Sequence, residues 1–339
     1  MAPFLRPSLR SALFPPAAVL VPVAAALVVI TGCSKKPAPT AAPPPPPAAA
    51  ASAPVAAPAA PPAVAPPAAA TAAAAEVAPQ AADPRKNGWD LPARGTAAKE
   101  GDRVYVLTQG KDRSYANAGA VYHLFAQDLG EIRDDVMTVK ELGGGSFPVT
   151  GLFVIPAGTE KASDLKMGDM VLAEWASSLK HAIVTKVEGD KVTVRYTDLP
   201  DTWTDDKTTA VKAPREVTRQ KEGLQGGNFA IAVEDGRPIQ VLLVADSGDK
   251  WLARRFANRV AAFPTTTLTP IPLKPTLKAG QAVWAPWVGM MYKGKVKKVG
   301  GTRVEVAIEA IASKEPVVTS LGQVLPDDGK PLAGLEAAK

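Results

Sequence analysis

The 339-residue chain predicts an all-β head made of tandem small modules behind a disordered Ala/Pro-rich linker. Three observations predict it. The C-terminal part repeats itself. Its repeated unit is built of short β-branched runs punctuated by glycine. An almost pure Ala/Pro stretch separates that part from the N-terminus.

The repeat is direct. Leu165 to Tyr196 aligns without a gap on Leu277 to Ile308, a shift of 112 with twelve of 32 positions identical. Gly168, Val171, Ala173, Trp175, Val184, Gly189, Val192 and Val194 are among them. Upstream, Phe147-Pro148-x-Thr150-x-Leu152 matches Phe263-Pro264-x-Thr266-x-Leu268 at a shift of 116, so the length difference falls in a connector. A fixed period of this kind marks stacked units. The two units run over about 99–212 and 215–325, and each divides again. Lys99-x-Gly101-Asp102-x-Val104 echoes Lys166-x-Gly168-Asp169-x-Val171, and Gly248-Asp249-Lys250 echoes Gly189-Asp190-Lys191. The expected modules are 85–160, 161–214, 215–272 and 273–330.

Within a module the pattern is β. Val171 to Trp175, Ala182 to Val187 and Val192 to Tyr196 are short and β-branched, and the last alternates apolar with polar as a half-buried strand does. Gly189-Asp190 and Gly300-Gly301 stand where tight hairpin turns belong. Gly226-Gly227, Asp235-Gly236 and Ser247-Gly248 mark further turns. Lys250 to Val260 reads equally as strand or helix.

The series Gly168-Asp169-x-Val171-x-Ala173-x-Trp175, Ala182-x-Val184, Val187, Val192-x-Val194-x-Tyr196-x-Asp198 resembles a Tudor domain, and module four repeats it through Val306. The resemblance implies strongly bent, five-stranded SH3-like (Tudor-like) barrels. It also implies an aromatic cage, whose ring faces attract a soft cation. Carried over, that cage falls on Trp175 and Tyr196 in module two, with Lys180 and Leu199 at its other positions and Trp203 completing it from a loop. Module four supplies Trp287 and Tyr292, with Ile308 in place of the third-strand tyrosine. The plainer reading is that Trp175 and Trp287 plug the open barrel ends. The candidate ligand-binding residues are therefore Trp175, Tyr196, Trp203, Trp287 and Tyr292.

Catalytic and metal chemistry find little support. His123 and His181 are the only histidines, 58 positions apart. Asp134-Asp135, Asp205-Asp206 and Asp327-Asp328 are adjacent pairs whose side chains point apart on an extended chain. Gly143 to Ser146 lacks the Gly-Lys-Ser/Thr that cradles phosphate. No cofactor and no metal are expected. From Arg85 onward 35 Lys/Arg face 31 Asp/Glu, interspersed, which is a solvated surface and not a nucleic-acid site.

The N-terminus carries a second resemblance. Ile30-Thr31-Gly32-Cys33 resembles a bacterial lipobox, behind Arg6, Arg10 and an apolar run from Ala17 to Ile30. Pro15, Pro16 and Pro22 weigh against a spanning helix. The resemblance implies a signal peptide over 1–32, acylation of Cys33 (the only cysteine) and a lipid-anchored place in the cell envelope. Ser34, a non-acidic residue, favours the outer membrane by analogy. Residues 33–84 form the tether, with Pro43 to Pro47 unbroken. Fully extended, about 50 such residues reach on the order of 150 Å. The expected function is a membrane-anchored, non-catalytic binding or scaffolding head whose partner is an envelope protein or peptidoglycan. A peptidoglycan-binding wall module and a hydrolase with a site between barrels are the alternatives.

Overall fold

The computed structural model describes residues 82–109, 114–141, 144–158, 160–199, 205–311 and 315–335. The expected signal peptide, Cys33, the tether and Trp203 lie outside the described residues. The described residues belong to one compact unit, Ala74–Lys339.

Four five-stranded barrels follow one another. Barrel 1 holds β1 (Arg103–Thr108), β2 (His123–Arg133), β3 (Val136–Lys140), β4 (Ser146–Thr150) and β5 (Val154–Pro156). Barrel 2 holds β6 (Met170–Trp175), β7 (Ser178–Glu188), β8 (Lys191–Tyr196), β9 (Thr209–Lys212) and β10 (Val217–Arg219). Barrel 3 holds β11 (Phe229–Glu234), β12 (Arg237–Asp246), β13 (Lys250–Arg254), β14 (Val260–Pro264) and β15 (Leu268–Pro270). Barrel 4 holds β16 (Ala282–Trp287), β17 (Met290–Gly300), β18 (Arg303–Ile308), β19 (Val317–Ser320) and β20 (Leu325–Pro326). In each, the first strand pairs with the second and fifth, and the third pairs with the second and fourth. A single 3-10 turn joins the fourth strand to the fifth. This is the SH3-like plan, and barrels 1 and 3 are as complete as 2 and 4.

The sequence explains the repetition locally. Gly101, Gly168, Gly227 and Gly280 each stand before a first strand with φ between +82° and +92°, a conformation glycine adopts without steric cost. Their N–H groups donate to Leu129, Val184, Leu243 and Val296, each on the long second strand of its own barrel. Asp102 and Asp169 close the same turn by accepting from the N–H of Lys99 and Lys166, and Gln281 does so for Lys278. Each second strand then bulges, at Leu129/Ile132, Val184/Lys186, Leu243/Ala245 and Val296/Lys298. A bulge bends a strand, which lets one long strand serve two sides of a small barrel.

The structure moves two boundaries and settles one element. Val217 to Arg219 pairs with Val171 to Ala173, so barrel 2 runs to Arg219 and not to 214. Leu332, past the expected end of module four, is buried with Ile231, Ile271 and Met291 at the joint of barrels 3 and 4. Lys250 to Arg254 is a strand. Gly189 and Gly301 both take positive φ at the expected hairpins.

Small cores fill barrels 2, 3 and 4 with aliphatic residues and one or two aromatics each. The core of barrel 1 is larger and continues into barrel 3 through Leu242, Val244, Leu252 and Val260. Trp89, Tyr115, Tyr122 and Phe153 form an aromatic cluster there, with Tyr115 and Phe153 stacked at 3.7 Å. The Trp89 Nε1–H donates to the Val260 carbonyl at 3.1 Å, which fastens barrel 3 to the chain leading into barrel 1.

Candidate functional site: a groove where four barrels meet

Two turns set the geometry. The hairpins between first and second strands in barrels 2 and 4 are Ala176-Ser177, with φ of 47° and 60°, and Val288-Gly289, with φ of 49° and 79°. Positive φ at both positions is the type I′ hairpin signature. Each turn leans on the neighbouring barrel. The Ala126 N–H donates to the Ser177 carbonyl at 2.8 Å, and the Gln240 N–H donates to the Gly289 carbonyl at 3.0 Å. Barrels 1 and 2 thus share one sheet, and barrels 3 and 4 another.

Between these joints lies a groove of two adjoining cavities, about 340 and 190 Å³. Both are lined by Asp198 of barrel 2 and by Phe229, Arg254 and Asn258 of barrel 3. His123, Phe125 and His181 extend it on one side, Gln240, Gly289 and Gln323 on the other. Every barrel contributes.

His181 is 5% exposed and spent on structure. Its Nε2 donates to the Gly227 carbonyl at 2.7 Å, its Nδ1 faces Asp198 Oδ2 at 3.2 Å, and its ring stacks on Phe229. Both ring nitrogens are engaged within the fold. His123 is exposed and stacks on Phe125.

Two other lining atoms are unspent. Asp198 Oδ1 and Gln240 Nε2 are buried with no hydrogen-bond partner, one an acceptor and one a donor. Arg254 donates to Asn258 Oδ1 at 3.2 Å. Burial holds its guanidinium below the usual range, and the Asp198 charge works against that. The rim is apolar. Phe256 and Val288 are each 59% exposed and Trp287 is 42% exposed. Phe256 lies over the Gly289 backbone, where an added Cβ would come 2.2 Å from Phe256 Cβ. Ala257 and Asn258 behind it hold φ of 56° and 57°, and the Asn258 carbonyl accepts from the Tyr122 N–H of barrel 1 at 2.9 Å. Such backbone costs of order 1 kcal/mol per non-glycine residue and clusters where structure serves binding.

The aromatic candidates separate. Tyr196 is 3% exposed, and its hydroxyl donates to the Glu174 carbonyl at 2.5 Å. It belongs to the barrel 2 core and offers a ligand no face, which corrects its place among the candidates. Trp175 is half-buried against that same core. Tyr292 packs on the core of barrel 4. Register pairs Trp287 with Met290 and Ala285 with Tyr292, so Trp287 and Tyr292 share one face. Trp287 alone among the described candidates is exposed, two residues before Gly289, which lines the groove. The sequence reading missed Asp198, Arg254 and Phe256 as site residues. One signal was available: His181 breaks the repeat, since module four has Lys293 at that position.

Burial pushes the phenols of Tyr105 and Tyr196 well above their usual range and that of Tyr122 up to about 12. Among the described residues no group of three or more His, Cys, Asp or Glu is placed to hold a metal ion. No family model and no curated protein matches the chain. Solved structures that match include the four MBT repeats of Drosophila melanogaster Sfmbt in complex with the peptide RHR(me)KVLR. That likeness is at 10% identity and a TM-score of 0.15, over 68% of this chain and 88% of that one.

Proposed function

We propose that this is an envelope lipoprotein, anchored by acylated Cys33, whose four-barrel head is a non-catalytic binding or scaffolding module. The junction groove takes a segment of a partner protein. One observation carries the reading: a buried acceptor, Asp198 Oδ1, and a buried donor, Gln240 Nε2, both unpartnered, line one groove. Buried polar groups are nearly always paired, so two orphans in one groove ask for a ligand that donates and accepts. A peptide bond does both. Phe256 in the groove lining, with Trp287 and Val288 exposed on the strand and turn leading to Gly289, then holds a side chain, as exposed aromatics at interaction sites do. His181, with both ring nitrogens engaged, argues for holding over turnover.

The test is retention of residues 74–339 on purified sacculi and in envelope extract, beside Phe256→Ala/Trp287→Ala. A discrete protein partner that the double variant loses supports the reading. Retention on sacculi alone, equal for both proteins, would replace it with a wall-binding module that does not use the groove.

A further inference from the structure

The charge of the head is not spread over it. Residues 85–272 carry 25 Lys/Arg and 25 Asp/Glu, whereas 273–330 carry nine against five. The excess sits in barrel 4, and four of its lysines lie on β17: Lys293, Lys295, Lys297 and Lys298. Gly294 and Val296 between them are buried, so Lys293 and Lys295 point outward, and the bulge at Val296/Lys298 puts Lys298 on that outer face too, across from Glu305. Lys293 pairs with Asp327 at 3.0 Å and lies over the Trp284 ring at 5.1 Å, and Lys298 pairs with Glu305 at 3.7 Å. Lys295 and Lys297 have no ion pair among the described residues.

The fold does not need these charges. Barrel 2 builds the same strand with His181, Ile183 and Thr185 where barrel 4 has Lys293, Lys295 and Lys297. Lys293 and Lys295 stand about 7 Å apart on the outer face, as alternate residues of a strand do, and Lys298 joins them past the bulge, so the lysines repel one another. Asp327 and Glu305 offset Lys293 and Lys298, while Lys295 and Lys297 have no such partner among the described residues. The feature is a strand face and not a pocket, so it meets an extended anionic surface better than a discrete ion. Val318, exposed on the neighbouring strand across from Glu305, and the half-buried Trp284 add apolar area beside the charges.

We propose that the β17 face of barrel 4 docks on an anionic phospholipid bilayer. This is separate from the junction groove and stands or falls without it. The occupant follows from charge complementarity and from the lipid anchor expected at Cys33 of the same chain. Such an anchor keeps the head at a bilayer, where lysines add electrostatic attraction to anionic lipid that salt weakens.

The test is co-sedimentation of residues 74–339, which contain every described core, with phosphatidylcholine vesicles alone and with phosphatidylglycerol added. Binding only to the anionic vesicles, lost in high salt, is the expected result. Lys295→Gln/Lys297→Gln lowers it by about 30-fold, the size expected for two lysines leaving an anionic surface. Lys186→Gln/Lys191→Gln on barrel 2 removes the same charge elsewhere and leaves binding unchanged. Equal loss in both double variants would overturn the proposal in favour of net charge alone. So would full binding by the β17 variant, or retention on sacculi with no binding to vesicles.

Discussion

The imidazole of His181 in barrel 2 donates through Nε2 to the carbonyl of Gly227 at the entry to barrel 3, 2.7 Å away. Gly227 itself has φ +88° and lies so close to barrel 2 that an added Cβ would come 2.2 Å from Leu172 Cδ1. A hydrogen bond and a close backbone approach therefore meet at one residue of the joint between the two halves of the duplicated head. It also forms one wall of the groove, because Asp198, which holds the other side of the His181 ring, lines it.

Removing the ring should loosen that joint. His181→Ala removes one donor from the Gly227 carbonyl and one from Asp198, each of which keeps another, and the loss of two hydrogen bonds costs about 1–3 kcal/mol. Urea denaturation reads the loss, and amide exchange should speed up first around 225–229. Unchanged exchange there would mean that the ring is not the pin.

Gly227→Ala tests the same contact from the other side. A side chain at that φ costs roughly 1–2 kcal/mol before any clash with Leu172 is counted. The urea midpoint should fall by more than it does for Gly248→Ala, since Gly248 has nothing within 4 Å of an added Cβ. Equal shifts in the two variants would contradict the close approach.

Val288 makes the opposite prediction. A β-branched residue at φ 49°, 59% exposed, is out of place on stability grounds. Val288→Asn should stabilise the head by about 1 kcal/mol, because Asn tolerates the left-handed region. If the groove rim binds a partner, the same change should weaken that binding. Thermal unfolding and partner retention, measured on one preparation, separate the two effects.

The tyrosines set an alkaline limit. Tyr105, Tyr122 and Tyr196 have phenols raised by burial, so their folded values exceed the unfolded value near 10. A raised folded value gives stability that is complete below pH 10 and drains away as pH climbs through about 12, where Tyr122 titrates. Tyrosinate absorbance should therefore rise together with loss of the folded circular dichroism signal. Full ionisation of these three while the β signal persists would contradict their burial.

The modules were legible because glycine before each first strand and β-branched runs after it are local signals. Gly168, Gly280 and the strands that follow them were placed from sequence alone. The turns at Ala176-Ser177 and Val288-Gly289 were not. Neither Ala-Ser nor Val-Gly announces positive φ, and the neighbouring barrels hold those turns through Ala126 and Gln240. Val217 to Arg219 was misassigned because three residues carry no periodicity, and only pairing with β6 identifies them. Tyr196 shows the limit of carrying a site over by resemblance. The alternation of Val192, Val194 and Tyr196 already pointed it inward, and the structure agrees with the alternation. The groove was invisible for a different reason. Asp198, Gln240, Arg254 and Gln323 converge from three barrels, and no spacing along the chain encodes that.

The central claim is that the head holds a partner at the four-barrel groove. Site-specific photocrosslinking in cells tests it most directly, with the probe at position 256 on the rim and, separately, at position 211 on the exposed outside of barrel 2. A discrete protein adduct from 256 and none from 211 is the predicted result. Adducts of equal yield from both positions, or none from 256, would contradict it.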